Sequence, residues 1–364
     1  MNDKIQMAIV GLRFGQHIVE NQVLNGPGAP FINLRGVCDL DRTKSSTLAK
    51  KYNLKEYLSL DGILDDPVIE AVGLFTPPSN RANMIRRIML AGKHVMTTKP
   101  FELESDEAFK VLLEAKQLNK IVHLNSPSPL PSQETAQILK WQDDHNLGQP
   151  ISARWETFTS SCEQADGSWY DDPQQCPVAP IFRIGIYGIN QLIRLCGRVE
   201  SVSVCHSRIR TGRPTPDTAE CSLQFESGAL GSIFASYCID EGHLYGSRLL
   251  MHYERGTIRN SVTALDDRGE TSAIDLHLQT PLPNRKLYCE TASIDEEEMS
   301  GKYQWDLFYN AVRKNNFYVK GEITPDLIAH AIEVIDAMRL SQEFDKRIAI
   351  SEVSIEQQHA HAAL

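Results

Sequence analysis

The sequence predicts an α/β domain with a doubly wound parallel sheet, followed by an α+β domain with a large, mostly antiparallel open sheet. Strand and helix patterns alternate over the first 125 residues, and a proline-rich stretch then interrupts them. Strand patterns dominate the remaining sequence. Strands that alternate with helices at short spacing are typical of a parallel sheet covered by helices on both faces.

The first domain is predicted over residues 1–125. Its third strand stops at Thr76-Pro77-Pro78, because proline cannot donate to a strand ladder. A glycine closes the third helix, as is common at helix ends. The predicted strands are 5–10, 32–37, 68–75, 94–97 and 121–124, and the predicted helices are 16–24, 45–52, 81–91 and 105–119.

The second domain is predicted over residues 126–364, because the Ser-Pro-Ser-Pro-Leu-Pro stretch at 126–131 can form neither a helix nor a central strand. We expect one face of its sheet to pack on helices and the other to self-associate in a homodimer or homotetramer. Helix 326–344 is expected to pack back toward the first domain. The predicted strands are 152–159, 199–209, 219–225, 230–238, 248–253 and 347–350, and a further helix is predicted at 133–145.

Composition argues against several classes of function. The chain has 364 residues and a formal net charge of -10 without a Lys/Arg-rich block, which disfavours nucleic acid binding. We find no signal peptide pattern and no membrane-spanning stretch, and the 8 cysteines are scattered, so reduced thiols in the cytoplasm are expected. Clustered metal ligands and a Gly-x-Ser-x-Gly elbow are both missing from the sequence, so no metal site or hydrolase is expected; His359 and His361 are predicted to lie in a disordered tail.

The turn after the first strand reads Gly11-Leu12-Arg13-Phe14-Gly15. In dinucleotide-binding Rossmann folds, glycines at such a turn allow a tight bend, close approach of the pyrophosphate, and helix packing on the sheet. Two glycines are present here, and the loop is either one residue short or carries Arg13 where the middle glycine belongs. An ordinary turn remains the alternative interpretation.

Asp39 ends the second strand, 24 residues after Gly15. An acid near this offset hydrogen-bonds the adenosine ribose and repels a 2′-phosphate, so NAD is favoured and NADP is the alternative. Arg42 would soften that preference, and Arg13 is a candidate to pair with the pyrophosphate. A simple role for Asp39 in the strand-end turn is the other interpretation.

Two further motifs, Leu74-Phe75-Thr76-Pro77-Pro78 and the stretch from Ala91 to Pro100, which ends in Met-Thr-Thr-Lys-Pro, together resemble the Gfo/Idh/MocA family of NAD(P)-dependent oxidoreductases. The resemblance implies that Thr76 and Pro77 border the cofactor, together with Gly11, Phe14 and Gly15. It also implies that Lys99 contacts both nicotinamide and substrate. Without the resemblance, a solvated surface lysine would be the preferred interpretation of Lys99.

The stretch 181–197 is similar to the family's catalytic helix, in its tyrosine subgroup. The resemblance implies that Tyr187 is the acid/base, and helical spacing places Arg183 and Asn190 on the same face. A phenol has a pKa of about 10, so a nearby ammonium such as Lys99 is needed to favour the phenolate. The alternative is a tyrosine with its ring in the core and its hydroxyl in water.

Arg81, Thr98 and Arg183 depart from the family pattern, which has histidine, glutamate and aspartate there in many relatives. These changes predict a more cationic pocket, and hence a carboxylate- or phosphate-bearing substrate held by Arg183. The alternative is that Arg183 pairs with an acid elsewhere in the chain. Trp169 is a candidate to stack on a sugar face, or else a partly buried anchor.

These observations predict an NAD(P)-dependent dehydrogenase that acts on the CH–OH group of a sugar, sugar acid or cyclitol. The alternative is a non-catalytic NAD(P)-binding sensor of the same fold, which Thr98 and Arg183 would favour. Retention of Lys99 together with Tyr187 argues for the enzyme, because a sensor has no need of an acid/base phenol.

Overall fold

The computed structural model divides the chain into two compact units. The first comprises Met1–Leu130 and Tyr303–Pro325, and the second comprises Pro131–Lys302 and Asp326–Leu364. The structure describes residues 3–242, 244–266, 269–295, 299, 301–314 and 321–353. His359 and His361 lie outside the described residues.

The first unit contains a six-stranded parallel sheet. Its strands are β1 (Ile5–Val10), β2 (Ile32–Cys38), β3 (Lys55–Glu56), β4 (Ala71–Leu74), β5 (His94–Thr97) and β6 (Val122–Leu124). Its helices are α1 (Leu12–His17, continued by a π-helical turn Ile18–Leu24), α2 (Arg42–Tyr52), α3 (Leu60–Leu64), α4 (Arg81–Leu90), α5 (Ser105–Gln117) and α8 (Trp305–Lys314).

The strand order β3-β2-β1-β4-β5-β6 reverses direction between β1 and β4. In open α/β sheets of this kind, ligands bind beyond the carboxyl ends of the strands at the point of reversal. The order therefore directs attention to the turns after β1 and β4, and these hold Gly11 and Thr76.

The second unit contains a nine-stranded, mostly antiparallel sheet in the order β14-β13-β12-β11-β7-β10-β9-β8-β15, so the predicted fold class is confirmed. Its strands are β7 (Pro150–Thr159), β8 (Val199–Ser207), β9 (Thr218–Phe225), β10 (Leu230–Ser236), β11 (Tyr245–Tyr253), β12 (Gly256–Leu265), β13 (Thr271–Pro281), β14 (Leu287–Asp295) and β15 (Ile348–Ala349). Its helices are α6 (Gln133–Asp144), α7 (Ile186–Cys196) and α9 (Pro325–Phe344), with a 3-10 turn at Trp169–Asp171 and a π-helical turn at Ile181–Gly185. Among the described helices, none is both long and apolar enough to cross a lipid bilayer.

The chain returns to the first unit through α8, whereas the prediction assigned that return to helix 326–344. Trp305 and Phe308 of α8 are buried in the same core cluster as Ile5 and Ile18. Helix 326–344 corresponds to α9, and all of it after Pro325 belongs to the second unit. The units divide after Leu130 rather than after residue 125, because the backbone of Leu130 and the side chain of Gln304 exchange two hydrogen bonds.

Candidate functional site

The glycine turn after β1 leaves no room for a side chain at its first position. Gly11 has φ of 87°, and a Cβ built on it would lie 2.8 Å from the carbonyl carbon of Phe75. Its N–H donates to the carbonyl oxygen of Cys38 at 3.0 Å. The turns after β1, β2 and β4 therefore meet at Gly11, and only glycine fits both the backbone angle and the contact.

Gly15 supplies the close packing of helix on sheet that the prediction required. A Cβ at this position would lie 3.1 Å from Cγ2 of Ile9 on β1. Arg13 and Phe14, which precede it, are exposed on α1, and Phe14 retains 41% of its accessible surface. The Phe14 ring meets the edge of Phe75 with 6.0 Å between centroids. Arg13 thus takes the place of a middle glycine within the helix, at an exposed position.

Asp39 follows β2 and organises both neighbouring turns. Its Oδ2 accepts from the N–H of Leu12, and its Oδ1 accepts from the N–H of Asp41 at 2.8 Å. The carboxylate consequently lies at the N-terminus of α1. These contacts support the strand-end turn interpretation of Asp39, and its bond to a ribose stays a prediction. Arg42 lies 3.7 Å from Oε1 of Glu56.

The backbone around Lys99 is held by a neighbouring strand end. Oδ1 of Asn125 accepts from both the hydroxyl of Thr98 and the N–H of Lys99, each at 3.2 Å. Asn125 directly follows β6 and is 2% exposed. Thr98 therefore makes a polar contact that fixes the turn carrying Lys99.

Arg81 does not add positive charge to an open pocket, which corrects the expectation from the sequence. Its side chain is 1% exposed, and its guanidinium donates to backbone carbonyl oxygens, including that of Thr76. Burial lowers the pKa of Arg81 to about 10, an effect that the nearby Glu102 opposes. The Arg81 guanidinium therefore forms its hydrogen bonds within the first unit.

The strand ends of the first unit fit a dinucleotide cofactor. Gly11 lets the turn after β1 pack directly against the backbone of Phe75, and the N-terminus of α1 stands beside it. Helix N-termini favour anionic groups such as a pyrophosphate. Gly11, Phe14, Gly15, Asp39, Thr76, Pro77 and Lys99 all follow strands of this sheet on its carboxyl edge. Contact of these residues with the cofactor, and of Arg13 and Arg42, stays a prediction.

In the second unit, Tyr187 and Asn190 lie on α7, which is fixed tightly to the sheet. A Cβ on Gly188 would lie 2.3 Å from Cδ1 of Trp155 on β7, so the helix approaches β7 too closely for any side chain at that position. Asn190 is 5% exposed and Tyr187 is half-buried, with its ring against Gly301. Close packing of this kind holds the phenol at a fixed place within the unit.

Arg183 forms an ion pair, as the alternative interpretation of the sequence expected. Its Nη2 lies 3.0 Å from Oε2 of Glu163, and its guanidinium stacks 3.5 Å from the ring centroid of Tyr170. Burial by itself would lower the pKa of Arg183, but Tyr237, Tyr170 and Glu163 together raise it above its ordinary value. Because Glu163 balances this charge, Arg183 gives no reason to expect an anionic substrate.

The segment that carries Glu163 is anchored by a second arginine, which the sequence did not single out. Arg213 is 3% exposed; its Nη1 donates to Oδ1 of Asp171 at 2.5 Å, and its Nε donates to the carbonyl oxygen of Glu163 at 2.9 Å. Trp169 packs against Tyr170 with 4.3 Å between ring centroids. The run of acids over 163–172 is the signal that would have pointed to a cationic partner. Trp169 is half-buried in this segment, and its stacking on a sugar stays a prediction.

Lys99 lies in the first unit, whereas Tyr187, Arg183, Asn190 and Trp169 lie in the second. Their joint action on one substrate stays a prediction. Within the described ranges, no group of three or more histidine, cysteine, aspartate or glutamate side chains is arranged to hold a metal ion. The eight cysteines all lie within the described residues, and none of them forms a disulfide.

Comparison with known proteins matches two family models. Residues 5–126 match the oxidoreductase family with the NAD-binding Rossmann fold (GFO_IDH_MocA), and residues 135–259 match the GFO/IDH/MocA C-terminal domain. The chain is 26% identical to the scyllo-inositol 2-dehydrogenase (NAD(+)) of Bacillus subtilis over 309 residues, which cover 79% of this chain and 84% of that protein. An uncharacterized oxidoreductase of Schizosaccharomyces pombe is 28% identical over 44% of this chain, and the match spans only 43% of that relative.

Solved structures share the fold over nearly the whole chain. The aldose-aldose oxidoreductase of Caulobacter crescentus, complexed with glycerol, has a TM-score of 0.72 at 18% identity and covers 95% of this chain and 99% of its own. A levoglucosan dehydrogenase in complex with NADH and L-sorbose has a TM-score of 0.70 at 16% identity, with 95% and 99% covered. These similarities establish the architecture of both units.

Proposed function

Because the chain belongs to the Gfo/Idh/MocA family of NAD-binding oxidoreductases, we propose that it transfers a hydride between NAD and the hydroxyl-bearing carbon of a polyol. The observation that carries this proposal is the fixed backbone of Lys99 on the carboxyl edge of the first sheet. The same edge holds the Gly11 turn, where the backbone of Phe75 occupies the position that a Cβ on Gly11 would take. Bound NAD supplies the hydride acceptor for alcohol oxidation, or as NADH the hydride donor for reduction.

Tyr187 is the proposed proton acceptor from the hydroxyl group as the carbon is oxidised. A phenol with a pKa of about 10 is a weak base at neutral pH, and its deprotonated form needs a stabilising cation. The Lys99 ammonium takes that role in the proposal, because an opposite charge nearby favours the phenolate. In the reverse direction the same phenol returns the proton to the oxygen. Asn190 orients the substrate hydroxyls.

The substrate class follows from the relatives and from the charges of this chain. Relatives of this chain carry the names scyllo-inositol 2-dehydrogenase and D-xylose dehydrogenase, which point to a cyclitol or sugar. Arg183 is balanced by Glu163, and Arg81 is buried against backbone carbonyls. We therefore favour a neutral polyol over its sugar acid as the substrate. In this proposal Arg183 shapes the pocket beside Tyr170.

NAD is the proposed cofactor in preference to NADP. Asp39 places a carboxylate at the end of β2, where a 2′-phosphate would meet like charge. Arg42, which would otherwise favour that phosphate, lies near Glu56. The Asp39 carboxylate therefore decides the preference.

A homodimer or homotetramer through the second sheet is also part of the proposal. Along β13, Ile274, Leu276 and Leu278 are buried on one face, whereas Asp275 and His277 on the other face are only partly covered. A wide open sheet face of this kind is a natural surface for a second copy of the chain. Eight cysteines that form no disulfide suit the reducing cytoplasm, which we propose as its location.

A screen for NADH formation with neutral sugars, cyclitols and sugar acids tests the proposed activity, alongside a separate fluorescence titration of NADH binding. We expect oxidation of at least one neutral polyol, with a higher kcat/KM than for the matching acid. Binding of NADH without turnover of any polyol would overturn the proposal in favour of a sensor.

A further inference from the structure

Arg81 is the first residue of α4, and its buried guanidinium connects two turns on the carboxyl edge of the first sheet. Nη2 donates to the carbonyl oxygen of Thr76, in the turn after β4. Nη1 donates to the carbonyl oxygens of Thr98 at 2.6 Å and Phe101 at 3.2 Å, and also to that of Pro100. One side chain therefore links the turn with Thr76 and Pro77 to the turn with Lys99.

Glu102 makes the reciprocal connection from the segment after β5 back to α4. Its Oε2 accepts from the N–H of Ala82 at 2.6 Å, and its Oε1 accepts from the N–H of Leu103 at 2.7 Å. Glu102 is 3% exposed, and its negative charge is close enough to act on Arg81. Arg81 reaches from the helix to the segment, and Glu102 reaches from the segment to the helix.

Arg81 and Asn125 together fix the backbone around Lys99. Arg81 holds the carbonyl oxygens of Thr98 and Pro100, the residues immediately before and after Lys99. Asn125 holds the N–H of Lys99 itself. A guanidinium fork with several donors in fixed geometry suits such an array of carbonyl oxygens, and a lysine ammonium does not reproduce it.

We propose that Arg81 is a positioning residue for the dehydrogenase reaction, which sets the Lys99 turn against the Thr76-Pro77 turn. The proposal rests on the proposed function, in which those turns border NAD. Arg81 holds the carbonyl oxygen of Thr98, and Asn125 holds its hydroxyl, so the turn is fixed by two side chains.

The test compares Arg81→Met and Arg81→Lys with Arg86→Met in the full-length protein. Arg86 lies on the same helix, but its guanidinium pairs with the side chains of Glu114 and Glu107 rather than with turn carbonyls. Dissociation constants for NADH, obtained by fluorescence titration, kcat and KM for the polyol, and unfolding temperatures are measured for every variant. Glu102→Gln provides a milder change, because glutamine still offers an oxygen to the N–H of Ala82.

We expect Arg81→Met to weaken NADH binding and lower kcat by about 10- to 100-fold each, as for a misplaced catalytic group, with a smaller change in KM for the polyol. Arg81→Lys and Glu102→Gln should fall between this variant and the wild type, and Arg86→Met should stay within about twofold of the wild type. If Arg81→Met does not fold, Arg81→Lys carries the same comparison.

Two results would overturn the proposal. One is an NADH dissociation constant and kcat for the Arg81 variants that match the wild type. The other is losses in the Arg81 and Arg86 variants that merely follow their unfolding temperatures, which would make Arg81 structural. The NADH titration stands even if no polyol is oxidised, so failure of the proposed activity is distinguished from failure of this inference.

Discussion

Arg183 and Glu163 form an ion pair, with 3.0 Å between Nη2 and Oε2, just before the helix that carries Tyr187, and the Arg183 side chain is largely buried. From the sequence, the Arg183 cation was expected to bind an anionic substrate, but in the ion pair its charge is balanced by Glu163. Removal of one partner of such a pair leaves the other charge uncompensated. The net charge beside Tyr170 therefore depends on Glu163 as much as on Arg183.

Glu163→Gln should shift substrate preference toward sugar acids. The substitution removes the carboxylate that balances Arg183, so the guanidinium is expected to attract a substrate carboxylate. We expect the ratio of kcat/KM for an aldonate or uronate to that for its neutral sugar to rise by about 10-fold, equivalent to about 1.4 kcal/mol.

Asp166→Asn is the matched control, because Asp166 lies 3.7 Å from Arg213 and also belongs to the acidic segment. Steady-state kinetics on the paired substrates should show little change in the ratio for this variant. An unchanged ratio in Glu163→Gln would mean that Arg183 does not face the substrate.

Gly11→Ala should abolish cofactor binding and destabilise the first unit. The added Cβ would meet the Phe75 carbonyl carbon at 2.8 Å, and φ of 87° costs a residue with a Cβ about 1–2 kcal/mol before any clash. We expect a lower unfolding temperature and no saturable NADH binding in a fluorescence titration.

Gly92→Ala is a control with φ of 81° but no atom near the added Cβ. It should share the backbone cost and keep NADH binding. Equal NADH affinity in Gly11→Ala and Gly92→Ala would show that the close contact at Gly11 is not required.

His123 on β6 should make the first unit sensitive to acid. The residue is 2% exposed, and burial lowers the pKa of His123 to about 3, against an ordinary value of about 6.5 in the unfolded chain. The neutral His123 side chain therefore costs no free energy of unfolding above pH 6.5. As the pH falls from 6.5 toward 3, the unfolded chain takes up a proton that the folded chain does not, and the free energy of unfolding decreases by up to about 1.4 kcal/mol per pH unit.

Thermal unfolding of wild type and His123→Phe between pH 7 and 4 measures this contribution. Phenylalanine preserves an aromatic ring next to Phe308 and cannot take up a proton. The unfolding temperature of the wild type should fall more steeply with decreasing pH. His252→Gln, at a partly covered position on β11, should follow the wild type. Parallel pH dependences for wild type and His123→Phe would contradict the prediction.

Periodicity in the sequence predicted the first sheet well, because its buried strands are continuous apolar runs and its helices carry clear end signals. Strands β12 to β14 were not predicted. In β12 the buried face includes the polar residue Asn260, and in β14 the inward face includes Glu290, so neither strand alternates clearly. The alternation along β13 was overlooked. Helix α8 was missed as well, since its ten residues give a short pattern between unassigned segments.

The partners of the arginines lay beyond the reach of the sequence for a different reason. Arg81 is satisfied by backbone carbonyl oxygens, which every residue possesses and no pattern distinguishes. The partner of Arg183 lies 20 residues earlier, across an irregular loop whose path no periodicity describes. Candidate residues were recognisable, whereas the state of their charges required coordinates.

Cooperation between Lys99 and Tyr187 is the central feature of the proposed reaction, and a double-mutant cycle in kcat tests it directly. Lys99→Met and Tyr187→Phe should each lower kcat for NAD-dependent polyol oxidation by about 10²–10⁴-fold. The double variant should lose little more than either single variant, because the ammonium acts through the phenol. Losses in kcat that simply multiply in the double variant would contradict this cooperation, as would wild-type kcat in Tyr187→Phe.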